Sequence, residues 1–263
     1  MIEKTEPHII VRDLTVAYGS NVVLRDLSFT INRGEIFIIM GGSGGGKSTV
    51  LRSMVGLLPP TKGQVLYDGL SFWSAEPEVQ KSIMRKFGIL YQGGALWSSL
   101  TLAENVALPL QQYTDLSRGQ IQKTVSLKLA LVGLTGFEEY YPSEISGGMR
   151  KRAGLARAIA LDPEILFLDE PSAGLDPISA HLLDELIIEL RNSLGATIVV
   201  VTHELASIFA IGNNSVFLDA DTKTMIAGGE PRKLHAESKD PKVINFLNRG
   251  EGCVKETIRD RYR

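Results

Sequence analysis

Nine consecutive residues, 41–49, carry the clearest chemical pattern of this chain and read GGSGGGKST. They match G-x-x-x-x-G-K-[ST], in which backbone N–H groups of a glycine loop surround the phosphates of a nucleoside triphosphate. Lys47 is expected to neutralise the β- and γ-phosphates, and the Ser48 hydroxyl to ligate Mg²⁺. The predicted nucleotide-binding residues of the loop are Gly41, Gly42, Ser43, Gly44, Gly45, Gly46, Lys47, Ser48 and Thr49. The alternative interpretation is a flexible glycine-rich linker.

Two adjacent carboxylates follow an apolar run, ILFL, at residues 165–168. Such a run is typical of a buried parallel strand whose carboxyl end reaches a ligand crevice. Asp169 is expected to hold Mg²⁺ through water, and Glu170 to orient or deprotonate the attacking water. Two acids after a strand can also be solvated loop residues, but the phosphate loop favours the catalytic interpretation.

A second candidate anion site lies at Ser146-Gly147-Gly148, ahead of a helical run. Ser146 is expected to cap that helix and to leave the two glycine amides open at its positive end. Consecutive glycines weaken a helix, and an ordinary helix cap does not require them. Their presence therefore indicates a different role. Because residues 41–49 already hold one nucleotide, this site is predicted to contact the nucleotide of a partner chain.

The phosphate loop has the flanking elements that it requires. An apolar run at 36–40 predicts a buried parallel strand ahead of the loop, and residues 48–57 have helical spacing behind it. A further buried strand at 197–201 delivers Thr202 and His203 to the same sheet edge. A lone histidine is usually structural, but His203 is placed where it could reach a γ-phosphate.

The first part of the chain is predicted to form a separate antiparallel sheet. Residues 9–18 and 22–31 alternate between apolar and polar side chains and are joined by a turn at 19–21, and a short strand follows at 64–67. Tyr18 ends the first strand. Tyr18 could be an aromatic residue of an edge strand, or its ring could stack on the adenine of a nucleotide. The predicted nucleotide site favours the second interpretation.

A helical pattern runs from Leu102 to Leu161, with predicted breaks at Pro109, 133–136 and Pro142. This block inside an α/β chain suggests an inserted subdomain. After it, Asp176 is predicted to cap a helix that ends at Gly195. The apolar face predicted for that helix consists of Ile178, Leu182, Leu183, Leu186, Ile187, Leu190 and Leu194. The polar tail is expected to contain two short helices.

Composition excludes several classes of function. The 263 residues carry a net charge of −2, which gives no indication of nucleic-acid binding. The single Cys253 excludes an internal disulfide and suits a reducing compartment. No apolar run approaches the ~18 residues of a membrane span, and the N-terminus does not read as a signal peptide.

In these motifs the chain resembles the nucleotide-binding subunits of ABC transporters over residues 7–230. The matching residues are Tyr18 (A-loop), 41–49 (Walker A), Gln92 (Q-loop), ISGGM at 145–149 (signature), ILFLDE at 165–170 (Walker B), AGLD at 173–176 (D-loop) and His203 (switch). The resemblance implies an α/β fold: a P-loop NTPase (RecA-like) core, an N-terminal antiparallel β subdomain and an α-helical subdomain inserted at about 93–161. It leaves residues 231–263 as a tail and candidate interface segment.

The resemblance also implies a mechanism. Two chains would close head-to-tail as a homodimer over two ATP molecules, each held between Walker A of one chain and the signature of the other. The implied catalytic residues are Glu170, His203, Lys47 and Gln92. The implied Mg²⁺ ligands are Ser48, Gln92 and Asp169. Besides residues 41–49, the implied nucleotide contacts are Tyr18, Ser146, Gly147, Gly148 and Asp176.

Within this family the chain looks most like the ATPases of Mla/MCE-type phospholipid transporters. The similarity rests on Met149 in the signature, GGAL after Gln92, GLDPIS at 174–179 and THELASIF at 202–209. Gly93 departs from the serine more often found there. Glycine-betaine importers share SGGMR but resemble longer chains with a pair of C-terminal regulatory domains. Soluble ABC proteins of repair or translation typically carry coiled coils or tandem cassettes.

The subfamily resemblance implies partners and a location. The partners would be membrane-spanning, MlaE-like permease subunits and an MCE-domain substrate-binding protein, at the cytoplasmic face of the bacterial inner membrane. Residues 92–110 are expected to dock a permease helix. Trp97, Leu100 and Leu102 are expected either to form an exposed apolar patch for that helix or to pack in the core of the helical block.

Overall fold

The computed structural model describes residues 6–249 and contains, within them, two β-sheets and nine α-helices. The strands are β1 Pro7–Tyr18, β2 Asn21–Asn32, β3 Ile36–Gly41, β4 Lys62–Tyr67, β5 Leu70–Ser71, β6 Phe87–Leu90, β7 Ile165–Asp169, β8 Thr197–Val201, β9 Asn214–Asp219 and β10 Thr224–Gly229. The helices are α1 Lys47–Met54, α2 Pro77–Met84, α3 Leu102–Tyr113, α4 Arg118–Leu131, α5 Gly147–Ala158, α6 Pro177–Leu194, α7 Leu205–Ile211, α8 Pro231–Glu237 and α9 Pro241–Leu247.

The larger sheet has the strand order β10-β9-β3-β8-β7-β6, with β10 antiparallel and the other five strands parallel. Its central strands β3 and β8 are buried at every position, as the continuous apolar runs in the sequence predict. Because the strands are parallel, the residues after β3, β7 and β8 meet at one edge. The predicted α/β fold of a P-loop NTPase is confirmed.

The smaller sheet is antiparallel, with the order β2-β1-β4-β5. Tyr18 pairs with Asn21, which leaves Gly19 and Ser20 as the turn. Strand β4 pairs along β1 and includes the predicted strand at 64–67. The sheet packs by one face on α1 and on one side of the larger sheet, in an apolar cluster that includes Leu24, Met54 and Val216.

The helical block differs from its prediction at Pro109. Helix α3 continues through Pro109 and ends only at Tyr113, followed by a turn that the sequence analysis did not predict. A proline inside a helix costs about 3 kcal/mol. Its neighbours Leu102, Val106 and Leu110 are almost fully buried, and each contributes about 1.5–3 kcal/mol. The buried face of α3 therefore outweighs the missing hydrogen bond.

The prediction of an exposed apolar patch around Trp97 is only partly correct. The side chain of Trp97 is 63% exposed, whereas Leu102 is fully buried in the core shared by α3, α4 and α5. Leu100 is half-buried. The buried amide of Asn105 donates hydrogen bonds to the carbonyls of Trp97 and Leu100, and this fixes the loop ahead of α3.

Helix α6 has the predicted Asp176 cap and the predicted end at Gly195, but its predicted apolar face is too wide. Ile178 is 74% and Leu182 56% exposed, whereas Leu183, Leu186, Ile187 and Leu190 are buried. At 100° per residue, the exposed pair lies about 90–130° from the centre of the buried arc. The apolar face predicted from helical spacing therefore combined residues of the buried face with residues of an exposed face.

The tail forms α8 and α9, as predicted, and α9 packs on the larger sheet. The ring of Phe246 meets that of Phe217 edge-on, with centroids 5.1 Å apart. Lys242 Nζ donates to both carboxylate oxygens of Asp219, at 2.8 Å each, and to Asp221 at 2.6 Å. The hydrogen bond from Lys242 is the main cause that lowers the pKa of Asp219 to about 2. Residues 250–263, with Cys253, lie outside the described part.

A buried histidine joins the two sheets at the edge opposite the phosphate loop. The ring of His8 in β1 lies 2.7 Å from Thr197 Oγ1 through Nδ1 and 3.3 Å from Arg33 Nη1 through Nε2. An arginine only donates, so Nε2 is the acceptor and the ring is neutral. Burial first, and the Arg33 charge second, lower the pKa of His8, although Asp68 and Glu164 oppose the shift.

We expect His8 to make stability fall on acidification. Its native pKa lies below its unfolded value of about 6.5, so as pH falls the unfolded chain binds the proton first. The stability due to neutral His8 is complete above that pH and is lost as pH drops toward the native pKa. Melting temperatures from pH 8 to 5.5 should decline more steeply for wild type than for His8→Gln. His181→Gln, at an exposed histidine, should keep the wild-type slope, and parallel curves for wild type and His8→Gln would contradict this assignment.

Candidate nucleotide-binding and hydrolysis site

The phosphate loop connects β3 to α1 and takes a conformation that requires glycine. Gly41 and Gly46 have φ angles of +147° and +84°. A Cβ at Gly41 would lie 2.2 Å from the backbone oxygen of Leu218 in β9, so the loop starts pressed against the neighbouring strand. The loop ends at Gly46, which caps α1 without any side chain. Its N–H groups are thus open to an anion at a helix N-terminus.

Lys47 lies folded over the loop. Its Nζ donates to the carbonyl oxygens of Gly41, at 2.9 Å, and Gly42, at 3.0 Å. Partial burial lowers the pKa of Lys47, while the nearby charges of Glu170 and Asp169 act in the opposite direction. These carbonyls hold the ammonium against the glycine loop.

Ser48 and Asp169 place two oxygen atoms where they could bind a divalent cation. Ser48 Oγ donates to Asp169 Oδ1 over 3.3 Å, although the two residues are 121 positions apart in the chain. Burial raises the pKa of Asp169, and the hydrogen bond from Ser48 partly opposes that rise. Mg²⁺ binds through hydroxyl, carboxylate and water oxygens, so this pair fits it. A cation here would also offset the cost of burying the carboxylate.

Glu170, directly after β7, is buried in a left-handed backbone conformation with φ of +50°. For a residue other than glycine such a conformation costs about 1–3 kcal/mol and is typical of functional sites. Its Oε1 lies 2.8 Å from His203 Nδ1. Its Oε2 is buried without a hydrogen-bond partner in the described part of the chain. An unpartnered carboxylate oxygen beside the phosphate loop is suited to accept a hydrogen bond from an attacking water.

Lys47, Ser48, Glu170 and His203 line one open cleft of about 830 Å³, whereas Asp169 does not belong to its lining. All residues from Gly41 to Thr49 contribute to its wall, together with Gln92, Glu170 and His203. Tyr18 lies outside this lining, at the end of β1, 47% exposed, and its hydroxyl accepts a 3.4 Å hydrogen bond from Arg52. The structure therefore assembles the predicted catalytic residues in one place.

The signature residues lie elsewhere in the chain. Ser146 caps α5 by accepting a hydrogen bond from Met149 N at 3.2 Å. Ser146 and Gly148 line a separate cavity of about 60 Å³ against α6, and they do not line the cleft at the phosphate loop. A nucleotide in this chain's own cleft thus has its signature contacts only if a second chain supplies them.

Asp176 caps the N-terminus of α6. Its Oδ1 accepts hydrogen bonds from Ile178 N at 3.1 Å and Ser179 N at 3.0 Å. Hydrogen bonding to Ser179 is the main cause that lowers the pKa of the Asp176 carboxyl. Asp176 is exposed and does not line the cleft at the phosphate loop.

The sequence analysis assigned no role to several residues around the site, among them Phe246, Arg249 and Lys151. Phe246 and Arg249, from the end of the tail, also line the cleft. Lys151, on α5, is buried and donates to the backbone oxygens of Glu170, at 3.2 Å, and Ala173. The signal for Lys151 was available but weak, because a lysine in the sequence RKR reads as a solvated helix face.

Comparison with known proteins agrees with these motifs. The family model described as ABC transporter matches residues 24–173. The chain is 40% identical over 237 residues to the intermembrane phospholipid transport system ATP-binding protein MlaF of Escherichia coli K12, covering 90% of this chain and 87% of MlaF. MlaF of Haemophilus influenzae is 38% identical over 239 residues, with coverage of 91% and 89%.

Mycobacterial relatives are equally similar. The probable ribonucleotide transport ATP-binding protein mkl of Mycobacterium tuberculosis is 41% identical over 240 residues, which is 91% of this chain. The chain spans about two thirds, 66%, of the length of mkl.

Solved structures share the fold. A dimeric, post-hydrolysis structure of the ATP-binding cassette MJ0796 with ADP and Pi has a TM-score of 0.77 and 30% identity, and covers 84% of this chain and 98% of that chain. The structure of cbiO1 from Clostridium perfringens has a TM-score of 0.80 and 27% identity, with coverage of 97% and 99%.

The site predicts different defects at Lys47 and Glu170. Glu170→Gln keeps the shape of the side chain but removes its proton-accepting charge, so ATP binding should persist while turnover falls about 10²–10⁴-fold. Lys47→Ala should weaken ATP binding itself, since it removes the cation held over the loop. Fluorescent-nucleotide titration and phosphate release measure the two effects separately. Wild-type turnover in Glu170→Gln would show that this carboxylate has another role.

Proposed function

This chain belongs to the ABC transporter family as an ATP-binding, ATP-hydrolysing subunit, and from that premise we propose that its hydrolysis of ATP drives phospholipid transport between bacterial membranes. The observation that carries the proposal is the near end-to-end similarity to two MlaF proteins, at 38–40% identity. The cleft lined by the phosphate loop, Glu170 and His203 also supports the proposal.

The chemistry follows from the positions of these residues. Loop N–H groups and Lys47 bind and orient the triphosphate, so that little motion is needed at the moment of reaction. Glu170 accepts a hydrogen bond or proton from the water that attacks the γ-phosphate, and His203, 2.8 Å from its Oε1, fixes the carboxylate. Ser48 and Asp169 would hold Mg²⁺, which when bound neutralises charge on the phosphate oxygens.

Each cleft is proposed to be completed by a second copy of this chain. Cassettes of this family dimerise and work with membrane permeases. The separation of Ser146 and Gly148 from the phosphate loop of the same chain supports a head-to-tail homodimer with two shared sites. In that arrangement the open N-terminus of α5 would meet the γ-phosphate held by the partner.

A groove beside the Q-loop is proposed to receive the permease. It encloses about 460 Å³ between α2, α3 and the end of α5. The partly exposed apolar side chains of Met84, Trp97 and Tyr113 line it, and its charged lining residues are the basic Lys81, Arg85 and Arg157. Arg157 donates to Ala95 O at 2.8 Å and Gly94 O at 3.0 Å, so the groove is directly connected to the loop that follows Gln92. An amphipathic helix with an acidic residue fits such a groove.

The membrane-related part of the proposal concerns partners rather than this chain. Within residues 6–249, no helix combines the length and the apolar character needed to cross a bilayer. ABC ATPase subunits are peripheral to the membrane in transporters. We place this one at the cytoplasmic face of the inner membrane, bound to an MlaE-like permease and an MCE-domain protein.

A second candidate cargo is a small solute. The mkl similarity favours a ribonucleotide, and SGGMR in the signature is shared with quaternary-amine importers. The similarity to MlaF of two organisms, together with the residues after Gln92, Met149 and the residues after His203, favours lipid as the first candidate.

Deletion of this subunit from its native cell should disturb the lipid distribution of the outer membrane. Wild-type chain supplied from a plasmid should restore the distribution, and Glu170→Gln, which lacks turnover, should not. The measurements are outer-leaflet phospholipid content and uptake of labelled betaine and ribonucleotide in the same strains. Unchanged lipid distribution with lost uptake of either solute would reject the lipid cargo and support the importer alternative.

A further inference from the structure

A buried lysine connects the signature helix to the catalytic turn. Lys151 lies on α5, five residues after Ser146, and is 7% exposed. Its Nζ donates to Glu170 O at 3.2 Å and also to Ala173 O. The first acceptor is the backbone oxygen of the residue that follows β7, and the second is that of the first residue of the D-loop. The lysine therefore holds main-chain atoms whose positions set the direction of the Glu170 side chain.

The segment that Lys151 holds is a strained turn. Glu170 has φ of +50°, and Ala173 N donates back to Glu170 O over 3.3 Å. The bond to Glu170 O is buried and the bond to Ala173 O is partly buried, and an acceptor that loses its donor away from water is costly. Within residues 6–249, Lys151 is the donor that the structure gives to Ala173 O. Loss of its ammonium would remove both bonds and would loosen the conformation of Glu170.

A purely packing role does not explain a lysine at this position. The apolar side of α5 is already provided by Ala153, Leu155 and Ala156, all fully buried. A buried ammonium is unfavourable unless it is well paired, and an apolar side chain of similar length would fill the same space. The two carbonyls are what an apolar replacement could not satisfy.

The same helix carries the signature at its other end. A Cβ at Gly148 would lie 3.7 Å from Leu175 Cδ2, so the first turn of α5 packs directly on the D-loop that begins at Ala173. Displacement of Ser146 and Gly148 along or about the helix axis would therefore move Lys151, and with it the oxygens of Glu170 and Ala173, because an α-helix transmits motion as a rigid body.

We propose that Lys151 is a positioning residue that links the signature of a chain to Glu170 of the same chain. Lys151 thereby holds the carboxylate of the chain's own site from the helix that presents Ser146 and Gly148 to a partner. This inference rests on the proposed shared site.

The first test measures ATP turnover by the transporter purified with its permease. Lys151→Met keeps the length of the side chain and removes the ammonium. It should lower kcat about 10- to 100-fold with little change in KM for ATP, as expected for a misplaced catalytic group. Lys151→Arg, which keeps the charge and N–H donors, should recover most of kcat. The matched control is Lys128→Met, at a buried lysine of α4 that pairs with Asp162 away from the cleft, and its kcat should stay at the wild-type value.

The second test asks which site Lys151 serves, using mixed dimers in which one chain carries Lys47→Ala. That reference dimer retains one intact site, formed by the phosphate loop of the wild-type chain. Lys151→Met should lower turnover when placed in the chain with the intact loop, whose own Glu170 is used. It should leave the reference rate unchanged in the Lys47→Ala chain, which supplies only its signature.

The outcomes separate the two proposals. A kcat of Lys151→Met within about twofold of wild type, an equal loss in Lys151→Arg, or a loss that appears as raised KM would overturn the role of Lys151. A loss confined to the signature-supplying chain would overturn it as well. Inactivity of the reference mixed dimer itself would count against independent shared sites, and the kcat of the Lys151→Met homodimer would still decide the role of Lys151.

Discussion

The need to surround a triphosphate closely with backbone N–H groups governs this structure. Side chains on the loop would block the approach of phosphate oxygens, so residues 41–46 are almost all glycine. Gly41 must also pass so close to β9 that a Cβ would lie 2.2 Å from Leu218 O. The loop is therefore held against β9 at the end of β3, which pairs with β8 on its other side.

The direction of the strands places the other residues of the site beside the phosphate loop. Parallel strands β7 and β8 end beside β3, which brings Asp169 to 3.3 Å from Ser48 and Glu170 to 2.8 Å from His203. The helical block interrupts the chain between β6 and β7, and it contributes two things that the sheet cannot. Its α5 presents an open N-terminus away from the chain's own cleft, and Lys151 connects that helix back to the catalytic turn. In the proposed dimer, one chain thus contributes its motifs to two half-sites.

The motifs and the parallel core could be predicted because the chemistry admits few alternatives. A glycine loop between a strand and a helix, or two acids after a buried strand, have positions that local spacing determines. Pro109 was misjudged because local propensity favours a break, and the burial of Leu102, Val106 and Leu110 that overrides it depends on packing with α4 and α5. Ile178 and Leu182 were misassigned because a 3.6-residue repeat does not show where the buried arc ends. Lys151 and Arg249 were missed because their relation to Glu170 and the cleft exists only after folding.

The central claim is that each ATP is held between two copies of this chain, and complementation between two defective chains tests it most directly. Lys47→Ala removes the phosphate-loop half of a site, and Ser146→Arg blocks the signature half. Each homodimer should be inactive, whereas the mixed dimer contains one site with both halves intact and should recover ATPase activity. Phosphate release by affinity-purified heterodimers measures the recovery. Heterodimers that form but stay as inactive as their parents would contradict the shared site.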